Sequence, residues 1–113
     1  ETGILNISVK NDVKSDFDIS IQKQLMIFRM IQELINNSIK HSQGQRAEIH
    51  FSQSENRLLI DISDDGIGFK GAVTRESQGL YSIQQRMTSL LGKFTFNHDE
   101  NDKGFKARLE IDV

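Results

Sequence analysis

The sequence contains no cysteine, which excludes disulfide bonds and thiolate metal sites. It has no basic excess either: 14 lysines and arginines against 16 aspartates and glutamates give a formal net charge of −2, so no bulk attraction for nucleic acid is expected. No apolar stretch is long enough to span a membrane, and the N-terminus lacks a signal-peptide pattern. At 113 residues, the chain has the size of one globular domain. Because it begins Glu-Thr-Gly without Met, we expect a fragment of a larger protein, which could itself be membrane-anchored.

Apolar residues recur with two different periods, and each period predicts one kind of element. Alternation predicts strands over residues 4–9, 47–51, 58–62, 94–96 and 105–113. Steps of three and four predict a helix from about Ser20 to His41 and another from about Leu80 to Leu91. Together they predict an α+β fold: a two-layer α/β sandwich with helices packed on one face of a mixed, mostly antiparallel sheet.

Each predicted helix has an apolar stripe and a terminal signal. Ser20 is expected to cap the first helix, because its hydroxyl can accept a first-turn amide proton. Gly92 is expected to terminate the second. The predicted stripes are Leu25, Phe28, Ile31, Ile35 and Ile39 in the first helix, and Leu80, Ile83, Met87, Leu90 and Leu91 in the second.

A polar stripe on the first helix comprises Glu33, Asn37, Lys40 and His41. Their spacing places them on one helix face at the edge of the core. Asn37 offers an amide oxygen to a hard cation, Glu33 a carboxylate, and Lys40 a positive charge for phosphate. Taken alone, such a stripe is more often a solvated helix face, so both interpretations stay open at this point.

The segment Asp64-Asp-Gly-Ile-Gly-Phe69 follows directly from a predicted strand. Asp64 shares the parity of the apolar residues in that strand, so it should point to the buried side. A buried carboxylate needs a donor, which the exocyclic amine of adenine would supply, and Gly66 and Gly68 leave room for a flat ligand. A plain strand-ending turn is the alternative. The segment is neither a P-loop nor a dinucleotide-binding fingerprint.

Residues Ser77-Gln-Gly-Leu80 lead into the second predicted helix. Gly79 would let the backbone close on an anion at the free amides of the helix start, although an ordinary helix N-terminus explains these residues as well. Arg86, two turns further on, could serve either a nucleotide or the edge of the core.

The three motifs, in this order, resemble the ATP-binding catalytic domain of sensor histidine kinases, within the Bergerat-type ATPase superfamily. Residues 31–41 look like its N box, 64–69 like its D-x-G-x-G box, and 78–87 like its last glycine box. The likeness covers nearly the whole chain and implies a single Bergerat domain over residues 1–113. It is strongest for a subfamily that usually phosphorylates regulators with a helix-turn-helix output domain.

The resemblance implies roles for the residues of the N box. Asn37 would bind Mg²⁺, and its spacing from Glu33 favours it over Asn36. Glu33 would line the metal site, while Lys40 and His41 would approach the phosphates or the adenosine. The predicted catalytic residues are thus Glu33, Asn37 and Lys40.

The resemblance also implies an adenine pocket. Asp64 would bind the adenine amine, Gly66 and Gly68 would shape the pocket, and Gly79 and Leu80 would close the lid end near the phosphates. The chain departs from the common Gly-x-Gly-Leu pattern at Ser77, which cannot freely adopt positive φ.

The function implied is transfer of the ATP γ-phosphoryl group to a histidine on a separate dimerisation domain, and then to a response regulator. ATP and Mg²⁺ are the implied cofactors, no nucleic acid contact is expected, and the need for ATP implies a cytoplasmic domain. The alternatives are an anti-sigma-type serine kinase, a degenerate nucleotide-binding module, and an ATP-driven machine of the gyrase or chaperone type. The last would need a longer lid and a transducer domain.

Overall fold

The computed structural model of the chain describes residues 6–14, 19–37, 46–64, 78–96 and 106–112. In these ranges, five strands and two helices follow one another along the chain. Their bounds are β1 Asn6–Asn11, α1 Ile21–Asn37, β2 Arg46–Ser54, β3 Arg57–Asp64, α2 Gln78–Ser89, β4 Lys93–Phe96 and β5 Lys106–Asp112.

The five strands form one sheet in the order β1-β2-β3-β5-β4. β1 pairs in parallel with β2, and the other pairs are antiparallel. This confirms the predicted mixed, mostly antiparallel sheet. β1 ends at Asn11, two residues later than predicted, where the Asp12 amide donates to the Phe51 carbonyl at 2.8 Å and extends the pairing with β2.

Strand residues alternate between a core face and an open face, as their period of two predicts. On the core face, Ile60 of β3 lies beside Leu109 of β5, and both are fully buried. On the open face, ion pairs join neighbouring strands: Arg108 to Asp61 at 2.7 Å, and Arg57 to Asp112 at 2.8 Å. The fully buried core comprises Met30, Leu34, Ile60, Ile62, Leu80, Ile83, Met87, Leu109 and Ile111.

α1 begins where the sequence predicts, but it turns a different side to the core. The Lys23 amide donates to Ser20 Oγ at 3.2 Å, which confirms the predicted cap. Leu25 and Phe28 are 52% and 57% exposed, so their predicted place in the buried stripe is wrong. The buried residues are instead Ile27, Met30 and Leu34, while Ile31 and Ile35 pack partly against the core.

The reason for this difference is that α1 is apolar around much of its circumference, so the sequence accommodates two stripes of helical period. The contacts with α2 and β3 select the side that contains Met30 and Leu34. The predicted stripe residue Ile39 lies outside the described residues.

α2 ends at Ser89, earlier than predicted, and a tight turn leads into β4. The Gly92 amide donates to the Met87 carbonyl at 2.8 Å, which confirms Gly92 as part of the helix stop. Leu91 was expected on the apolar side, but it is 84% exposed and has a φ of 57°. The helix has therefore already ended at Leu91, and its side chain points away from the core. Neither described helix is long and apolar enough to cross a membrane.

Candidate nucleotide-binding site

Each of the three motifs has a residue, either inside it or close beside it, that packs in one hydrophobic core. Leu34 lies one turn before Asn37 on α1, Ile62 two residues before Asp64 on β3, and Leu80 directly after Gly79 on α2. Leu34, Ile62 and Leu80 belong to the same buried cluster. The fold therefore fixes the segments that lead into or out of each motif relative to one another.

Asp64 is the last residue of β3 and lies opposite Ala47, a buried residue of β2. It continues the inward-facing series of β3, as the alternation predicts. Its carboxylate oxygen Oδ2 is shielded from solvent. Withdrawing a carboxylate from water is costly unless it gains hydrogen bonds. The position of Asp64 is therefore better suited to hydrogen bonding with a ligand than to an ordinary solvent-exposed role.

Glu33 lies on the side of α1 that faces α2, with its side chain 30% exposed. Its Oε1 accepts a hydrogen bond from Nη1 of Arg86 on α2, whose side chain is 37% exposed. From the sequence, Glu33 could have belonged to a solvent-exposed helix face. This alternative does not apply to Glu33, because its carboxylate is half-buried between two helices.

From the sequence, Arg86 was expected either to serve a nucleotide or to lie at the edge of the core, and no partner was predicted for it. In the structure it pairs with Glu33. One signal could have indicated a partner. Arg86 lies beside Met87 and three residues after Ile83, so it borders the buried face of α2. A long cation in this position can reach either water or an acid on the neighbouring helix, so the signal indicates a possible ion pair but does not identify Glu33.

The other predicted site residues are described only in part. Asn37 is the last residue of α1, four positions after Glu33, which puts both on one helix face, and its side chain lies outside the description. Gly79 is the second residue of α2. Lys40, His41, Gly66, Gly68 and Ser77 lie outside the described residues.

Leu80 packs in the core, where its side chain is 1% exposed. Its contribution to a ligand would therefore come from its main-chain amide, not from its side chain. The first amides of a helix have no partner within the helix and favour negative charge. The start of α2 at Gln78 and Gly79 has this character.

The described residues include no group of three or more His, Asp or Glu side chains that could hold a metal ion by itself. Magnesium that binds together with a nucleotide does not need such a group, because water and phosphate supply most of its ligands. A half-buried carboxylate at Glu33 and an amide at Asn37 are hard oxygen donors, and this donor set fits Mg²⁺.

Residues 22–113 match the family model described as histidine kinase-, DNA gyrase B- and HSP90-like ATPase. The chain belongs to this ATPase family. The family resemblance found in the three motifs is thereby confirmed.

Similar proteins within the family are sensor kinases. The sensor histidine kinase ComP of Bacillus subtilis is 35% identical over 98 residues, which cover 84% of this chain and 13% of ComP. The signal transduction histidine-protein kinase/phosphatase UhpB of Salmonella typhimurium is 29% identical over 79 residues, covering 70% of this chain and 16% of UhpB. The chain thus spans only a small part of these relatives.

Solved structures share the fold. The blue-light activated histidine kinase of Erythrobacter litoralis superposes with a TM-score of 0.74 at 16% identity, covering 100% of this chain and 39% of that one. The histidine kinase AdeS of Acinetobacter baumannii gives a TM-score of 0.70 at 17% identity, covering 95% and 54%. The predicted Bergerat-type architecture is confirmed by these likenesses.

Proposed function

We propose that this chain is the ATP-binding catalytic domain of a two-component sensor histidine kinase, within a longer protein. Its substrate would be ATP, and the γ-phosphoryl group would pass to a histidine on a separate dimerisation domain and then to a response regulator. The main support is the match of residues 22–113 to the ATPase family, together with relatives that are sensor kinases. We place the domain in the cytoplasm because it requires ATP.

The adenine end of the nucleotide would bind at Asp64. Its carboxylate would accept a hydrogen bond from the exocyclic amine, which compensates for the loss of water around Oδ2. Gly66 and Gly68 would let the base lie close to the main chain.

The triphosphate would lie between the end of α1 and the start of α2. Asn37 and Glu33 would hold Mg²⁺, which offsets negative charge on the phosphates. Lys40 and His41 would approach the phosphates or the adenosine, and the main-chain amides of Gly79 and Leu80 would receive a phosphate. In phosphoryl transfer the protein contributes mainly positioning and electrostatics, and these residue types supply both.

The acceptor histidine would lie outside this chain. His50 lies in β2, where Nε2 donates to Asp12 Oδ2 at 2.7 Å, so it holds a strand end and is not on an acceptor helix. His41 and His98 lie outside the described residues. We therefore expect the 113-residue chain to bind ATP without labelling itself with phosphate.

Calorimetric titration with ATP and Mg²⁺ tests this function. Asp64→Asn should weaken binding at least about tenfold, because the amide has no charge and only one acceptor oxygen, and its NH2 group replaces the second carboxylate oxygen as a donor. Asp61→Asn is the matched control on the same strand, because Asp61 lies on the open face, paired with Arg108. This variant should bind ATP like the wild type. Absence of wild-type binding at millimolar ATP would refute the proposal and favour the degenerate module, with Ser77 the first residue to examine.

A further inference from the structure

The ion pair between Glu33 and Arg86 connects the two helices that carry the candidate phosphate site. Arg57 and Arg108 also pair with acids, but they do so between strands on the open face of the sheet. Glu33 and Arg86 lie on α1 and α2, which pack against each other. Any charge left uncompensated here would therefore act on the region between the end of α1 and the start of α2.

An unpaired carboxylate at Glu33 would oppose nucleotide binding. A triphosphate brings several negative charges, and like charges a few ångströms apart repel, more so where the side chain is partly withdrawn from water. The guanidinium of Arg86 cancels this charge and also fixes the position of Oε1 through a charge-assisted hydrogen bond. A carboxylate accepts more than one hydrogen bond, so the pairing leaves Glu33 able to accept one from a water or to bind a cation.

We propose that Arg86 is a positioning residue of the nucleotide site, which acts by holding Glu33 toward α2 and cancelling its charge beside the triphosphate. The proposal rests on the proposed function, since it presumes that ATP binds at this end of the domain. It gives Arg86 a role through Glu33 and without contact to the nucleotide.

This role differs from a purely structural one in what it predicts. A half-exposed ion pair contributes little to folding, so loss of Arg86 should leave the domain folded. The electrostatic effect should grow with the charge of the ligand. It should therefore be large for ATP and absent for adenosine, which has no phosphate.

The test measures dissociation constants by NMR titration of the 113-residue chain with ATP and with adenosine, both in EDTA so that no metal contributes. Arg86→Gln should weaken ATP binding about five- to tenfold, the effect of one uncompensated charge several ångströms from the phosphates. Adenosine binding should change less than about twofold, since no charged ligand group meets Glu33. Arg86→Lys, which keeps the charge, should recover most of the ATP affinity.

The double variant separates a role through Glu33 from direct contact with phosphate. The double variant Glu33→Gln/Arg86→Gln should bind ATP within about twofold of the wild type, because the pair carries no net charge in either protein. Arg108→Gln is the matched control, because Arg108 is also paired with an acid but lies on the open face of the sheet. It should leave both affinities unchanged.

Three results would overturn the proposal. ATP binding by the double variant that stays as weak as that of Arg86→Gln alone would mean that Arg86 contacts the phosphates itself. Equal weakening of ATP and adenosine would mean that it only maintains the fold, and no weakening of either would mean that it has no role at the site. The wild type is also titrated with ATP in the presence of Mg²⁺, and failure to bind under that condition is distinct from these results and would remove the proposed function together with this proposal.

Discussion

Replacing Leu91 by glycine should stabilise the domain. Leu91 has a φ of 57°, in the left-handed region, where a residue with a β-carbon is disfavoured by about 1–2 kcal/mol. Its side chain is 84% exposed, so its removal sacrifices little apolar burial. Against this, glycine increases the freedom of the unfolded chain, which costs about 0.5–1 kcal/mol. The midpoints of the two ranges differ by about 0.7 kcal/mol, which is the expected gain in stability.

A gain of this size is measurable by chemical and thermal unfolding. For a domain of this length it corresponds to a rise in the midpoint temperature of about 2–5 °C. Ser89→Gly is the matched control, because Ser89 is also exposed but lies within α2 at negative φ. There glycine, a weaker helix former than serine, should destabilise by about 0.3–0.5 kcal/mol. If Leu91→Gly proved neutral or destabilising, or behaved like Ser89→Gly, the attribution of strain to Leu91 would be wrong.

Two further predictions concern the neighbouring turn and the β1 edge. Gly92→Ala should destabilise the domain by about 1–3 kcal/mol in urea unfolding, because its β-carbon would lie 2.6 Å from the Glu110 carbonyl oxygen; a neutral result would refute the close packing. The hydrogen bond from His50 lowers the pKa of Asp12 below its ordinary 3.8. The Asp12 carboxylate therefore stabilises the folded state at pH values above 3.8, and this stabilisation is lost as the pH falls through the lower pKa of the folded state. The difference in unfolding free energy between wild type and Asp12→Asn should shrink with acidification; a constant difference would contradict the pairing.

The sequence alone predicted the elements of this fold well, because each is encoded locally. Alternation within β3 places Asp64 on the inward side without knowledge of the neighbouring strands. Ser20 could be identified as a cap because capping depends on residues within one turn. The parallel pairing of β1 with β2 was not predicted in detail, since it joins segments separated by a whole helix.

The features that the sequence did not reveal depend on packing between elements. The buried side of α1 depends on where α2 lies, and an apolar helix offers more than one choice. The exposed position of Leu91 follows from a helix that stops before it, whereas the apolar period suggested that the helix continued. The pairing of Arg86 with Glu33 joins residues far apart in sequence, for which a single chain gives no covariation.

The strand order has a consequence for the way the domain is made. β5, the last of the described strands, lies inside the sheet between β3 and β4, and its Leu109 and Ile111 are completely buried. During synthesis, β4 therefore has no strand to pair with and β3 has an open edge until residues 106–112 leave the ribosome. An unpaired strand edge is a site for aggregation, so the nascent domain is most vulnerable just before its final strand emerges. The β3-β5-β4 part of the sheet is thus completed in one late event, whereas β1, β2 and β3 can pair in the order in which they are made.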